Sequence, residues 1–153
     1  MQHRLEWFRA RLESNSIKEI SKETQYLRPL QGFPGGCCKI ASILLARFLI
    51  EECLLSSNLV FVVVNGETEN PEFMTHAWVL ADSIIIDITA DQFPEVKDKV
   101  IWTKENTWHK KFKGSEPFLY KEFINSFNID AREEYENIYS QILSESEDSS
   151  SRN

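Results

Sequence analysis

The stretch "THAWVLADSIIIDIT", Thr75 to Thr89, consists of two apolar runs divided by the polar pair Asp82 and Ser83. That pattern predicts two short strands joined by a tight turn. With a two-residue loop, Ala81 pairs with Ile84, Leu80 with Ile85, Val79 with Ile86, Trp78 with Asp87 and His76 with Thr89. Successive side chains of a strand point to opposite faces. One face therefore carries Ala77, Val79, Ala81, Ile84, Ile86 and Ile88, all apolar, and the other carries His76, Trp78, Leu80, Ile85, Asp87 and Thr89. His76 and Asp87 are diagonal neighbours on this second face, ~7–8 Å apart at the backbone and within reach of longer side chains. An imidazole and a carboxylate so placed are what a general base and its orienting group require. Taken singly, each also reads as an ordinary residue, a satisfied histidine or a strand-end carboxylate bonded to local backbone.

Upstream lies "FPGGCCKIAS", Phe33 to Ser42, where a glycine loop runs into two adjacent cysteines. From about Cys38 to Leu55 the pattern is helical and apolar nearly all round, through Ile40, Ile43, Leu44, Leu45, Phe48 and Leu49. Such a helix is expected to be buried. A thiol is nucleophilic only as thiolate, with an unperturbed pKa of ~8.5. A helix N-terminus and a neighbouring imidazolium both lower that value. Gly35 and Gly36 are expected to let the backbone approach closely and set the thiol in the first turn. The N–H groups there can hold a developing oxyanion. The alternative is that Cys37 and Cys38 are core thiols, since free cysteine is often buried. Cys53, deep in the apolar helix, is read as a core thiol.

The chain has 153 residues, 42% of them apolar and 27% charged, with a formal net charge of −7. This composition fits one soluble domain, taken as residues 1–143, with an acidic tail over 144–153 expected to fray. The negative balance argues against a nucleic-acid binder, which needs a basic stripe. No apolar run approaches the ~20 residues of a membrane helix. The charged N-terminus lacks a secretory signal, and an odd number of cysteines suits a reducing cytoplasm. Leu5, Phe8, Leu12 and Ile17 predict one amphipathic N-terminal helix. "NLVFVVVNG" predicts a central strand, "VIWT" a further strand, and Phe118 to Leu143 carries a helical period. The expected fold class is α+β, a buried helix packed on an antiparallel sheet.

Other candidates carry less. Trp78 is a candidate wall of a substrate slot. Asp91 and Gln92 are candidates for a cleft rim, and Glu67, Glu69 and Glu72 fall in a predicted loop. His3 and His109 stand in charged surroundings and read as exposed. A zinc site from Cys37, Cys38 and His76 has suitable ligand types, but adjacent cysteines chelate one ion poorly and no Cys-x-x-Cys spacing occurs. No metal is therefore expected, no phosphate-loop motif is found, and no cofactor is called for.

Gly36-Cys37-Cys38, His76-Ala77-Trp78 and Asp87-Ile88-Thr89, in that order, resemble the papain-like superfamily. The closest likeness is to its transglutaminase-like branch, with a Gly-x-Cys helix start, a His-x-Trp strand and an Asp-x-Thr strand. "DITADQFP" is also similar to small bacterial proteins of that superfamily. The resemblance covers about Gln31 to Pro94. It implies a papain-like or transglutaminase-like core and a Cys-His-Asp triad. The spacing from Cys38 to Ser42 matches the Cys-x-x-x-Ser segment of papain-type enzymes and favours Cys38 as nucleophile. Gln31, six residues before Cys37, matches their oxyanion glutamine by its spacing to Cys37 instead. Lys39 stands where transglutaminases have a tryptophan or small residue.

The expected function is cysteine-dependent acyl transfer on peptide or carboxamide bonds of a protein or peptide substrate. Cys38 attacks, His76 moves the proton, Asp87 orients His76, and Gln31, Cys37 and Trp78 line the oxyanion and substrate region. Protease, deamidase and transglutaminase outcomes are all open to such a site. The competing class is a binding or immunity module of the same fold, without catalysis.

Overall fold

Strand pairing follows the alternation. A computed structural model describes residues 1–67, 74–114 and 116–145. The helices among them are α1 (Gln2–Glu13), α2 (Asn15–Lys22) and α3 (Cys38–Glu51). Next come β1 (Val60–Glu67), β2 (Thr75–Ala81), β3 (Ile84–Asp87), β4 (Ile101–Thr103), β5 (Phe112–Gly114) and β6 (Phe118–Leu119). Helices α4 (Tyr120–Ile124) and α5 (Ile129–Leu143) complete the described chain. The strands form one antiparallel sheet in the order β4-β3-β2-β1-β5, with β6 also on β1. The class is thus α+β with an open antiparallel sheet.

The β2–β3 register has Ala81 opposite Ile84, Leu80 opposite Ile85 and Val79 opposite Ile86, as the two-residue loop requires. Asp82 and Ser83 have φ of 48° and 67°. Two positive φ values mark a type I′ turn, whose twist matches that of paired strands. The two faces of the hairpin then enter two different cores. Val79, Ala81, Ile86 and Ile88 join the main core, together with Val60 and Val62 of β1 and the apolar faces of α1, α3 and α5. Trp78 and Ile85 join a second core with Val63, Phe93 and Phe112, against which Leu80, Val96 and Trp108 pack. This second core roofs the half-polar face, and so it buries His76 and Asp87.

Helix α3 is buried along most of its length, as its all-round apolar pattern demands. Gly36, just before it, has φ of 71°. Close approach is not what these glycines provide, because a Cβ at Gly36 would meet nothing within 4 Å and one at Gly35 only an ordinary contact. The left-handed backbone at Gly36 is the constraint.

Two helical segments are shorter than their periodicity suggests. The N-terminal one divides at Ser14, whose hydroxyl accepts from the Ile17 N–H and caps α2. The C-terminal one opens with the short strand β6, and Asn128 caps α5 by accepting from Ala131 N–H at 2.8 Å. Capping oxygens satisfy backbone donors that a continuous helix would keep for itself. Glu67 falls in β1 rather than in a loop. Glu69, Glu72 and the tail beyond Glu145 lie outside the described residues.

Arg9 of α1 fastens the helices to the end of β3. Its Nη1 and Nη2 donate to both carboxylate oxygens of Asp91 at 2.7 and 2.9 Å, and Nη1 also reaches the carbonyls of Ile88 and Lys99. Asp91 is therefore held under Arg9 and is not free at a cleft rim. Arg9 also stacks over Phe33, in the loop that leads to Cys38.

Two stability outcomes follow. Ser83→Gly relieves a left-handed conformation at a non-glycine residue and raises stability by ~0.5–1 kcal/mol, read by chemical denaturation. Arg9→Met leaves the Asp91 carboxylate and two carbonyls without their donor and costs ~3 kcal/mol or more, read as a lowered Tm.

Candidate active site

A charged carboxylate is hard to bury, and Asp87 is only 1% exposed. Its oxygens are correspondingly well supplied with donors. Oδ2 accepts from His76 Nε2 at 2.7 Å and from His109 Nε2, also at 2.7 Å. Oδ1 accepts from the Thr89 backbone N–H at 2.9 Å and faces the Thr89 hydroxyl at 3.4 Å. Burial pushes the Asp87 pKa up, but the hydrogen bonds of His109 and His76 outweigh it and hold the carboxyl well below the usual carboxylate range. Asp87 is ionised at neutral pH, and both imidazoles present Nε2–H to it.

His76, fully buried at the start of β2, lies in an aromatic box. The rings of Phe93, Phe112, Trp108 and Trp78 stand 5.0 to 5.7 Å from it. Trp78 is a wall of this box, against His76 on one side and His109, at 4.8 Å, on the other. Burial pushes the His76 pKa down, while the Asp87 hydrogen bond, the Cys38 hydrogen bond and the charges of both groups push it up further, to about 9. With Nε2 engaged by Asp87, Nδ1 is the nitrogen left to face Cys38. The Gln92 amide also approaches Nδ1, at 3.4 Å, while donating to the Thr89 carbonyl at 3.0 Å. Gln92 thus lies at the imidazole itself rather than merely on a rim.

The two adjacent cysteines part company. Cys37 is the N-cap of α3, 2% exposed and a member of the main core. Burial first, and then the neighbouring Cys38, push its thiol up to about 12. Cys38 is the first residue of α3 and half-buried. Cys37 makes no side-chain cap bond, so no capping oxygen competes for the first N–H groups of α3. Gln31 donates its side-chain amide to the Arg28 carbonyl at 3.2 Å, inside its own 3-10 turn.

His109 contradicts its sequence reading. It is 2% exposed, on a 3-10 turn over His109–Lys111, and bonded to Asp87. The surrounding lysines made it look solvated. The better signal is its aromatic company, Trp108 before it and Phe112 three residues after.

His76, Asp87 and His109 offer three potential ligand atoms within 4.8 Å of one another. Both N···O separations are hydrogen-bond lengths, with two N–H groups converging on one oxygen. These atoms are spent on one another, which fits a proton-holding group better than a metal centre.

Two curated Escherichia coli proteins, both named uncharacterized protein YuaU, resemble part of the chain. The one from strain K12 is 34% identical over 99 residues, and the one from strain UTI89 / UPEC is 37% identical over 101 residues. Each match takes in 64% of this chain and 44% of the relative, so the chain spans less than half the length of these relatives. No protein-family model matches the chain. No solved structure matches it. Among the described residues, no helix is long and apolar enough to cross a membrane.

The titrations set a pH window. His76 binds its proton more tightly folded than unfolded, so its contribution is fully present below about pH 6.5 and is lost as pH rises through about 9. One such proton gives a slope of at most ~1.4 kcal/mol per pH unit. Asp87 works in the opposite sense. Its contribution is present above ~pH 4 and is lost on further acidification. Urea unfolding from about pH 2 to about pH 9.5 is expected to show both arms, with His76→Gln flattening the alkaline one and Asp87→Asn the acid one.

Proposed function

We propose that this chain is a cysteine-dependent acyl-transfer enzyme on a papain-like or transglutaminase-like core. It acts on peptide or carboxamide bonds of a protein or peptide substrate in the cytoplasm. The observation that carries this reading is the 2.7 Å bond from His76 Nε2 to the buried Asp87 carboxylate, and Cys38 is among the groups that push the His76 pKa up. The half-buried setting of Cys38 at a helix start supports it as the nucleophile over the buried Cys37.

In this mechanism His76 Nδ1 takes the Cys38 proton, and the imidazolium so formed is stabilised by Asp87 through Nε2–H. The sulfur attacks the carbonyl carbon. The oxygen of the tetrahedral intermediate takes the N–H groups at the first turn of α3. Gln31 holds the Arg28 carbonyl with one amide N–H and has a second N–H to offer. Collapse expels the amine, which receives the proton from His76, and leaves a thioester on Cys38. Water resolves the thioester in hydrolysis or deamidation, and an amine resolves it in transamidation. Water is always present, which ranks the first two above the third.

Limiting iodoacetamide at neutral pH tests the reading, with each cysteine followed by peptide mass mapping. Cys38 is expected to react ~10-fold or more faster than Cys53, and His76→Ala to slow it by a similar factor. Equal, slow labelling at all three cysteines would sink the enzyme and favour a binding or immunity module.

A further inference from the structure

Asp87 has more partners than the orientation of one imidazole requires. A carboxylate offers about four lone-pair sites, and four donor groups face this one: His76, His109, the Thr89 N–H and the Thr89 hydroxyl. Thr89 lies two residues away, and β2 delivers His76 from the same hairpin. His109 comes from a separate turn, 22 residues further on. Among the described residues it is the one donor to Asp87 from outside Thr75–Thr89.

We infer that His109 is a positioning residue of this thiol site, its Nε2–H sharing Asp87 Oδ2 with His76 and so fixing the plane of the carboxylate. The inference rests on the proposed thiol chemistry for its functional meaning. With Oδ1 tied to Thr89 alone, the carboxylate can pivot about that edge. A second N–H on Oδ2 closes the pivot and keeps the oxygen in line with His76. It also adds a donor to a buried anion, so that Asp87 stays charged where His76 needs the charge. The charged or titratable groups on His76 are Asp87 from β3 and Cys38 from α3, and those on Asp87 are His76 and His109.

A packing role is the rival explanation, because the His109 ring stands 4.8 Å from both Trp78 and Trp108. Two variants separate the roles. Glutamine carries an N–H close to the imidazole Nε2 position but no ring, whereas phenylalanine carries a ring but no donor. If His109 positions Asp87, His109→Phe slows Cys38 alkylation by ~10-fold or more and His109→Gln keeps it within ~3-fold of wild type. His109→Phe also lowers the His76 titration midpoint, followed by nitrogen-15 NMR, and His109→Gln does not. The reverse order, or a His76 midpoint that stays or rises in His109→Phe, overturns the inference. Should His109→Phe not fold, the wild-type spectrum and His109→Gln decide. An Nδ1–H tautomer at His109, or a lowered His76 midpoint in His109→Gln, overturns it. A wild-type Cys38 no more reactive than Cys53 defeats the enzyme reading alone, since the His76 midpoint still reports on His109.

Discussion

The carboxylate of Asp87 is the constraint around which the site end of this fold is arranged. An ion taken out of water costs several kcal/mol unless donors replace its hydration. Here the replacement comes from three separate segments: the start of β2, the turn after β3, and the turn at His109. None of them suffices alone. The chain from Phe93 to Phe112 must fold back over the sheet to deliver His109, and that return path builds the aromatic second core. Burial of the anion and closure of the roof are thus one event.

The two adjacent cysteines stand in different surroundings at the start of α3. Cys37 is the N-cap, with non-helical backbone angles, and Cys38 is the first helical residue, so the two side chains enter different surroundings. Cys37 falls toward the main core, where its thiol is pushed up to about 12 and stays protonated. Cys38 falls toward His76.

The hairpin was legible because alternation has a period of two, and a polar dipeptide between apolar runs leaves few registers. That register puts His76 and Asp87 on one face. The second core was not legible. Phe93, Val96, Trp108 and Phe112 follow no helical or strand period, and three lysines surround His109 in "WHKKFK". Local charge is a poor guide where a loop lies across a sheet with its apolar residues turned down. The divisions at Ser14 and Asn128 were missed for a different reason. Apolar periodicity continued across them, and only the capping chemistry of Ser and Asn marks the break. The spacing of Gln31 carries no information on its local bond to the Arg28 carbonyl, because a side-chain amide can be satisfied within its own turn.

Arg11 of α1 donates to the carbonyls of Gln141 and Ile142, at the end of α5, at 2.8 and 2.9 Å. Its neighbour Arg9 needs the backbone of Ile88 and Lys99. A ribosome makes the first helix long before any of these acceptors exist. During synthesis α1 meets its apolar neighbours on α2 and α3 first, through Trp7 and Phe8 against Phe48, and these carbonyl partners of its two guanidinium groups come later. Helix α1 is made before α5, and its Arg11 ties form only once α5 exists, like a drawstring threaded early and pulled tight later.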